Sequence, residues 1–143
     1  MYQVNVTKIE EILSFYEKVL ADIEPIMEKN NTFPGEPVTG LALERTLHIA
    51  LESIADVGNY LIDGFIMRDP GSYEDIVEIL RDETVVTDVM AASLKEIVNR
   101  RKSLITEYTY IKDEDVFMLL KTHLPFLQAF PPSVRDYLKK ELY

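Results

Sequence analysis

Residues 41–65 of the chain read LALERTLHIALESIADVGNYLIDGF, the longest stretch that helical periodicity covers without interruption. Its apolar side chains recur every three or four residues, which predicts an α-helix with a buried face. The main stripe consists of Leu43, Leu47, Ala50, Ile54, Val57, Leu61 and Phe65. A second row widens it and consists of Leu51, Ala55, Gly58 and Ile62. So broad a stripe predicts a central helix that packs against neighbours on more than one side.

The remaining face of this helix is polar. It carries, again at steps of three and four, Arg45, His48, Glu52, Asp56, Asn59 and Asp63. One interpretation is a face that simply meets solvent. The other is that its first part, Arg45, His48, Glu52 and Asp56, lines a cleft against another helix or a second subunit. The same choice applies to His48 alone, which is either a solvated histidine or a candidate acid–base group.

Helical signals also precede this segment. A first helix is predicted to begin at Thr7, because Thr7 and Glu10 form a capping-box pattern, and its apolar residues continue at helical spacing to Ile23. Pro25 is predicted to kink or interrupt this helix, because proline lacks the backbone N–H that the helix needs. Residues 30–40 contain Pro34, Gly35, Pro37 and Gly40, which predicts the first loop.

Four more helical segments follow the central one. A cap at Ser72 predicts a short helix to about residue 80, and a cap at Thr87 predicts a longer helix to about residue 109. Asp113 is predicted to start the next helix, which Pro125 should bend. The consecutive prolines 131 and 132 are predicted to separate it from a terminal helix over residues 134–142.

Composition limits the fold and the function. The chain has 143 residues, a formal net charge of -10 and no cysteine. This length predicts one domain over residues 1–143, and the helical segments predict an all-α antiparallel bundle of about five to six helices. The lack of cysteine excludes disulfides and thiolate metal sites, and we expect no metal and no cofactor. No apolar run of about 18 residues suggests a membrane span, so we expect a cytoplasmic protein.

One segment runs against the acidic composition. Residues 94–111 read LKEIVNRRKSLITEYTYI and concentrate four basic side chains, Lys95, Arg100, Arg101 and Lys102. If the segment is one helix, Arg101 lies on an apolar stripe that consists of Met90, Leu94, Ile97, Leu104 and Tyr108. A guanidinium on such a stripe either extends to the edge of the packed helix or is received by a carboxylate, a phosphate or another subunit.

The run Arg101-x4-Thr106-x-Tyr108 resembles the R-x4-H-x-Y signature of HepT-like proteins of the HEPN superfamily. The resemblance covers roughly residues 7–120, including the central helix. It implies a small helical homodimer that cleaves RNA without a metal and is paired with a nucleotidyltransferase antitoxin. Arg101 would stabilise the phosphate transition state. Thr106 stands where the family has its catalytic histidine, and a threonine hydroxyl does not titrate near neutral pH.

The resemblance also assigns roles around the motif. Tyr108 is the candidate acceptor of AMP from the antitoxin, and the alternative is that it only extends the apolar stripe. Arg100 and Lys102 are RNA-binding candidates, because they lie in this local excess of positive charge. On a straight helix Arg101 and Thr106 point in different directions, so the resemblance implies a composite site at a dimer interface. Two function classes remain, namely a ribonuclease toxin weakened by loss of the motif histidine, and an inactive HEPN dimer that binds or regulates.

Overall fold

Helix α2, Pro37–Gly64, is the element against which the other helices pack. In the computed structural model, which describes residues 2–143, the remaining helices are α1 (Val6–Lys29), α3 (Tyr73–Asp82), α4 (Asp88–Val98), α5 (Arg101–Ile105) and α6 (Asp113–Leu142). A single 3-10 turn, Tyr108–Tyr110, lies between α5 and α6. Helix α2 contacts each of α1, α3, α4, α5 and α6. The prediction of an all-α bundle with a central second helix is confirmed.

Burial along α2 follows the predicted stripe. Leu43, Leu51, Ile54, Val57 and Leu61 have no exposed surface. The helix starts earlier than predicted, at Pro37, because a proline in the first turn lacks only a donor that would have no intrahelical partner. The loop after α1 is therefore confined to residues 30–36 rather than 30–40.

Helix α1 differs from its prediction at both ends. Its N-cap is Asn5 rather than Thr7, and the Asn5 side chain accepts a hydrogen bond from the Lys8 N–H at 3.1 Å. The predicted interruption at Pro25 is wrong, since the helix continues to Lys29. Two features allow this. Met27, beyond the proline, is buried in the core, and the carbonyl that Pro25 leaves without a donor belongs to the exposed Ala21.

Helix α6 continues through both prolines that were predicted to end it. Pro131 lacks the N–H that would bond to the Leu127 carbonyl one turn earlier. The hydroxyl of Tyr16 on α1 donates to that carbonyl at 2.6 Å instead, inside the core. Phe130 and Val134 on either side are fully buried. A donor from a neighbouring helix and apolar packing thus offset the cost of the prolines, and the predicted separate terminal helix is wrong.

The helix predicted from Thr87 to about residue 109 is broken rather than continuous. Thr87 caps α4 as predicted, with its side chain accepting from the Met90 N–H at 3.2 Å, but α4 ends at Val98. Asn99 and Arg100 form a turn, and the five-residue α5 begins at Arg101. A continuous helix would carry Arg101 along the stripe of the buried Leu94 and towards the core, where an ion is costly. The break turns Arg101 out to the surface.

The polypeptide from residue 2 to residue 143 contains no helix of the length and apolarity that a bilayer crossing requires.

Candidate functional site

Arg101 lies where three helices meet. Its Nε–H donates to Oε1 of Glu52 on α2 at 3.0 Å. The centre of its guanidinium stands 4.7 Å from the ring centroid of Tyr73, the first residue of α3. The Tyr73 hydroxyl donates to the same carboxylate, 3.2 Å from Oε2. We call Glu52, Tyr73 and Arg101 the junction.

Local sequence fixes the tyrosine of the junction. Ser72 caps α3 by accepting the Asp75 N–H at 3.0 Å. Arg68 donates two hydrogen bonds of 2.7 Å to the Asp75 carboxylate. This bidentate geometry fixes the orientation of the two side chains. Gly58 on α2 lets α3 approach, since a Cβ there would overlap Ile76. Together these features place the start of α3 beside Glu52.

Two side chains of the junction have raised pKa values, Arg101 and Tyr73. The hydrogen bond to Glu52 raises the pKa of Arg101 further above its ordinary value. Burial, followed by the negative charge of Glu52, raises the pKa of Tyr73. Near neutral pH Arg101 is therefore a cation and Tyr73 a neutral phenol, and both donate to the Glu52 side chain. Glu52 uses only one of the five N–H donors of the guanidinium, so Arg101 retains donors for an anionic ligand.

The four predicted cleft residues of α2 share one groove. Arg45, His48, Glu52 and Asp56 line a groove of about 320 Å³. Its opposite wall is α1, which contributes Glu11, Ile12 and Phe15. The expectation that α2 faces the Arg101 helix here therefore holds for Glu52 alone, which links the groove to Arg101.

Polar groups in the groove interact with one another. Nη1 of Arg45 lies 3.3 Å from Nδ1 of His48, and since arginine only donates, Nδ1 is the acceptor. Desolvation, together with the charge of Glu52, raises the pKa of Asp56. His48 is half-buried, so it is neither a core histidine nor a fully solvated one.

The other motif residues lie apart from the junction. The Thr106 hydroxyl donates to the Lys102 carbonyl at 2.8 Å, within its own turn. Tyr108 is 66% exposed, so the alternative that it extends an apolar stripe in the core is wrong. Arg100 and Lys102 are both exposed. Arg100 also borders a cavity of about 110 Å³ between α5 and α6.

Sequence analysis missed two features. The first is Tyr73, whose sequence signal is the cap at Ser72 that fixes where α3 begins. The second is the carboxyl pair Glu44 and Asp113, which joins α2 to the start of α6. The pKa of Glu44 is raised from 4.5 to about 7, chiefly by the hydrogen bond with Asp113 and then by desolvation and the negative charge of Asp113.

The Asp113 side chain of the carboxyl pair packs closely against Gly40 of α2. The Asp113 side chain occupies the space that a Cβ at Gly40 would take. Its Oδ1 atom is buried and has no hydrogen-bond partner within residues 2–143. Across the same residues, no three His, Asp or Glu side chains are grouped as ligands for a metal ion.

Comparisons with known proteins cover nearly the whole chain. Residues 7–134 match the family described as ribonuclease HepT-like. "Putative RNase YutE" of Bacillus subtilis (strain 168) is 43% identical over 142 residues, which are 99% of this chain and 95% of the relative. The solved structure of YutE from Bacillus subtilis, described as a cytosolic protein, superposes with a TM-score of 0.91 at 43% identity, over 99% of this chain and 96% of that one.

A more distant structure has the same fold. A crystal structure of a toxin–antitoxin with AMP-PNP matches with a TM-score of 0.79 over 90% of this chain and 97% of that one. The sequence identity is 16%, so this likeness concerns the fold alone.

Replacing Glu44 by Gln should change how stability depends on pH. A folded-state pKa of about 7 against an ordinary 4.5 means that the folded protein binds more protons than the unfolded chain between these values. The stability of the wild type therefore falls as pH rises through this interval. Thermal melts from pH 5 to pH 8 should show that Glu44→Gln melts like the wild type at pH 5 and at a higher temperature at pH 8.

A control separates this effect from a general relief of negative charge. Glu114→Gln removes one exposed carboxylate beside Asp113 in the same helical turn. It should leave the pH slope of the melting temperature unchanged. Equal slopes for Glu44→Gln and the wild type would show that Glu44 and Asp113 do not share a proton.

Proposed function

Since this chain belongs to the ribonuclease HepT-like family, we propose that it is a metal-independent endoribonuclease of weak activity in a HEPN/nucleotidyltransferase toxin–antitoxin pair. The observation that carries the proposal is the junction, which presents Arg101 at the surface with most of its donors unused by Glu52. A cytoplasmic location is part of the proposal, in line with the relative described as a cytosolic protein.

The junction suits a reaction on a phosphodiester. In metal-free cleavage, the 2′-hydroxyl of RNA attacks the adjacent phosphorus, and negative charge grows on the phosphoryl oxygens. A guanidinium held in place stabilises this charge without having to reorient during the reaction. Glu52 and the Tyr73 ring fix the Arg101 side chain from two sides. Arg100 and Lys102 add exposed positive charge along the same segment, where a nucleic-acid backbone would run.

Thr106 accounts for the weakness of the proposed activity. Its hydroxyl is bonded to the Lys102 carbonyl and does not titrate near neutral pH. Loss of a positioned acid–base group typically slows a reaction by about 10²–10⁴-fold. Charge stabilisation by Arg101 remains, so the expected activity is reduced rather than abolished.

A homodimer is part of the proposal. Three large apolar side chains on α2 and α5 are exposed, Val38 at 76%, Leu41 at 65% and Ile105 at 39%. Covering such side chains against a second copy removes apolar surface from water. A two-fold arrangement would also bring a second copy of Arg101 towards the first, which fits the composite site that the family resemblance implies.

The proposed partner is a nucleotidyltransferase antitoxin that modifies Tyr108. The fold-related structure is described as a toxin–antitoxin with AMP-PNP, which supports a protein partner for this chain. Tyr108 is exposed, as an acceptor must be. An attached AMP would add negative charge and bulk to the basic segment and compete with RNA phosphate.

A second candidate function is a HEPN dimer that binds or regulates without cleaving. It is favoured by one observation, that the hydroxyl at the motif histidine position is bonded within its own helix rather than directed to Arg101. The two candidates share the fold and the dimer and differ only in cleavage.

Cleavage of RNA should depend on Arg101 and improve with a histidine at position 106. The purified protein is incubated with single-stranded RNA in EDTA, and products are resolved on a gel. We expect slow cleavage by the wild type, loss of product with Arg101→Ala, and a rate increase of about 10²-fold or more with Thr106→His. Arg135→Ala serves as the matched control, since it removes an arginine of α6 that pairs with Glu10 and Glu17 on α1 rather than with Glu52.

The alternatives give distinct results. A wild type that binds RNA but yields no product, while Thr106→His cleaves, would favour the binding or regulatory dimer. Equal cleavage by the wild type and Arg101→Ala would contradict the assignment of the junction as the site.

Tyr108 should be the residue that a cognate nucleotidyltransferase modifies. Incubation with that enzyme and ATP, followed by mass spectrometry, should show AMP on the peptide that contains Tyr108 and none after Tyr108→Phe. Tyr110 is an internal control, since it is 83% exposed on the same turn and lies outside the motif. Modification of Tyr110 instead, or of neither tyrosine by an active transferase, would refute the assignment.

A further inference from the structure

The groove between α1 and α2 contains the group that the motif lacks. We propose that His48 accepts the proton during RNA cleavage, in place of the histidine that Thr106 replaces. This inference rests on the proposed ribonuclease function and extends it to a residue on a different helix from the motif. His48 and Glu52 line the same groove, and Glu52 binds Arg101.

Glu52 lies on the same helix as His48 and connects it to the junction. His48 precedes Glu52 by four residues on α2, so the two side chains share a face and are separated by about 6 Å along the helix axis. The Glu52 carboxylate is in turn 3.0 Å from Arg101 Nε. Glu52 thus lies between His48 and Arg101, and a phosphate bound by Arg101 on the side of the groove approaches the imidazole. The ribose 2′-hydroxyl adjoins that phosphate, and the proposal requires it to extend along the groove towards His48.

The other side chains around the groove fit the role less well. The charged or titratable groups that face it are Glu11 from α1 and Arg45, His48, Glu52 and Asp56 from α2. Arginine is always protonated and accepts no proton. Both Glu52 oxygens already accept hydrogen bonds, from Arg101 and Tyr73. A histidine is suited to the role because imidazole changes its charge near neutral pH.

The chain contains only one other histidine. His123 lies on α6 and its Nδ1 is 2.6 Å from the hydroxyl of Ser93, a buried residue of α4. It is absent from the lining of the groove. His123 is therefore a matched control, with the same side chain in a part of the bundle remote from the proposed chemistry.

Arg45 gives the proposal a substrate-dependent step. Its guanidinium occupies His48 Nδ1 through a long hydrogen bond of 3.3 Å. A phosphate in the groove offers Arg45 a charged acceptor, which forms the stronger bond. Movement of Arg45 to the phosphate frees the lone pair of Nδ1. RNA binding thereby prepares His48 to accept a proton.

The reaction balances without a metal or an added reactant. His48 takes the proton of the 2′-hydroxyl as the 2′-oxygen forms a bond to phosphorus. The bond from phosphorus to the 5′-oxygen breaks, and that oxygen leaves with the bonding electron pair and takes a proton from water. The products are a 2′,3′-cyclic phosphate and a 5′-hydroxyl, and His48 returns its proton to solvent.

The test compares His48→Gln with His123→Gln, since glutamine keeps hydrogen-bonding groups but does not titrate. Cleavage of single-stranded RNA in EDTA is followed from pH 5 to pH 9, and affinity is measured with a 2′-O-methyl RNA of the same sequence, which has no free nucleophile. We expect His48→Gln to lower the cleavage rate by at least about 10²-fold and to remove the acidic limb of the pH–rate profile. Affinity for the 2′-O-methyl RNA and the melting temperature should stay at wild-type values.

His123→Gln should retain the rate and the pH profile. In the His48→Gln background, Thr106→His should restore cleavage, because the motif histidine then supplies the proton transfer. Full cleavage by His48→Gln would overturn the inference about His48 and leave the ribonuclease function standing. A loss of RNA affinity equal to the loss of rate would have the same meaning. No cleavage by the wild type overturns both.

Discussion

The ion pair between Glu52 and Arg101 is the contact on which the site depends. It exists because α4 ends at Val98 and the chain turns at Asn99 and Arg100 before α5 begins. As an exposed pair it adds little to stability. Its consequence is geometric, since it fixes the position of Arg101 relative to α2 and, through Tyr73, to α3. Glu52 also lines the groove that contains His48, so one carboxylate connects the arginine to the proposed proton acceptor.

Individual residues allow the helices to pack in this arrangement. Gly58 allows α3 to pack closely on α2, which brings Tyr73 to Glu52. The Tyr16 hydroxyl bonds the carbonyl that Pro131 leaves without a donor, so α6 remains one long helix. At Gly58 the lack of a side chain allows α3 to approach. At Tyr16 one hydroxyl group supplies a hydrogen bond to the backbone of α6. Such contacts connect residues far apart in sequence.

This explains which features the sequence could predict. The period of the apolar residues in α2 and the caps at Ser72 and Thr87 are local signals, and they predicted the bundle and several helix starts correctly. The prolines of α6 misled, because Tyr16, which bonds the carbonyl that Pro131 leaves free, belongs to another helix. Pro25 misled because the carbonyl it leaves free is on the exposed Ala21. For the site, the motif indicated Arg101, and the polar face of α2 indicated Glu52 and His48. Tyr73 and the break after Val98 required the packing of α3 and α5.

In the proposed function, Arg101 at the junction receives an RNA phosphate. A crystal structure with a short 2′-O-methyl RNA tests it most directly, because this ligand keeps the phosphate and lacks the free 2′-hydroxyl. We predict a phosphate oxygen within hydrogen-bonding distance of the Arg101 guanidinium, with the adjacent 2′-oxygen on the side of His48. RNA bound elsewhere on the protein, with Arg101 still engaged only with Glu52 and Tyr73, would contradict it.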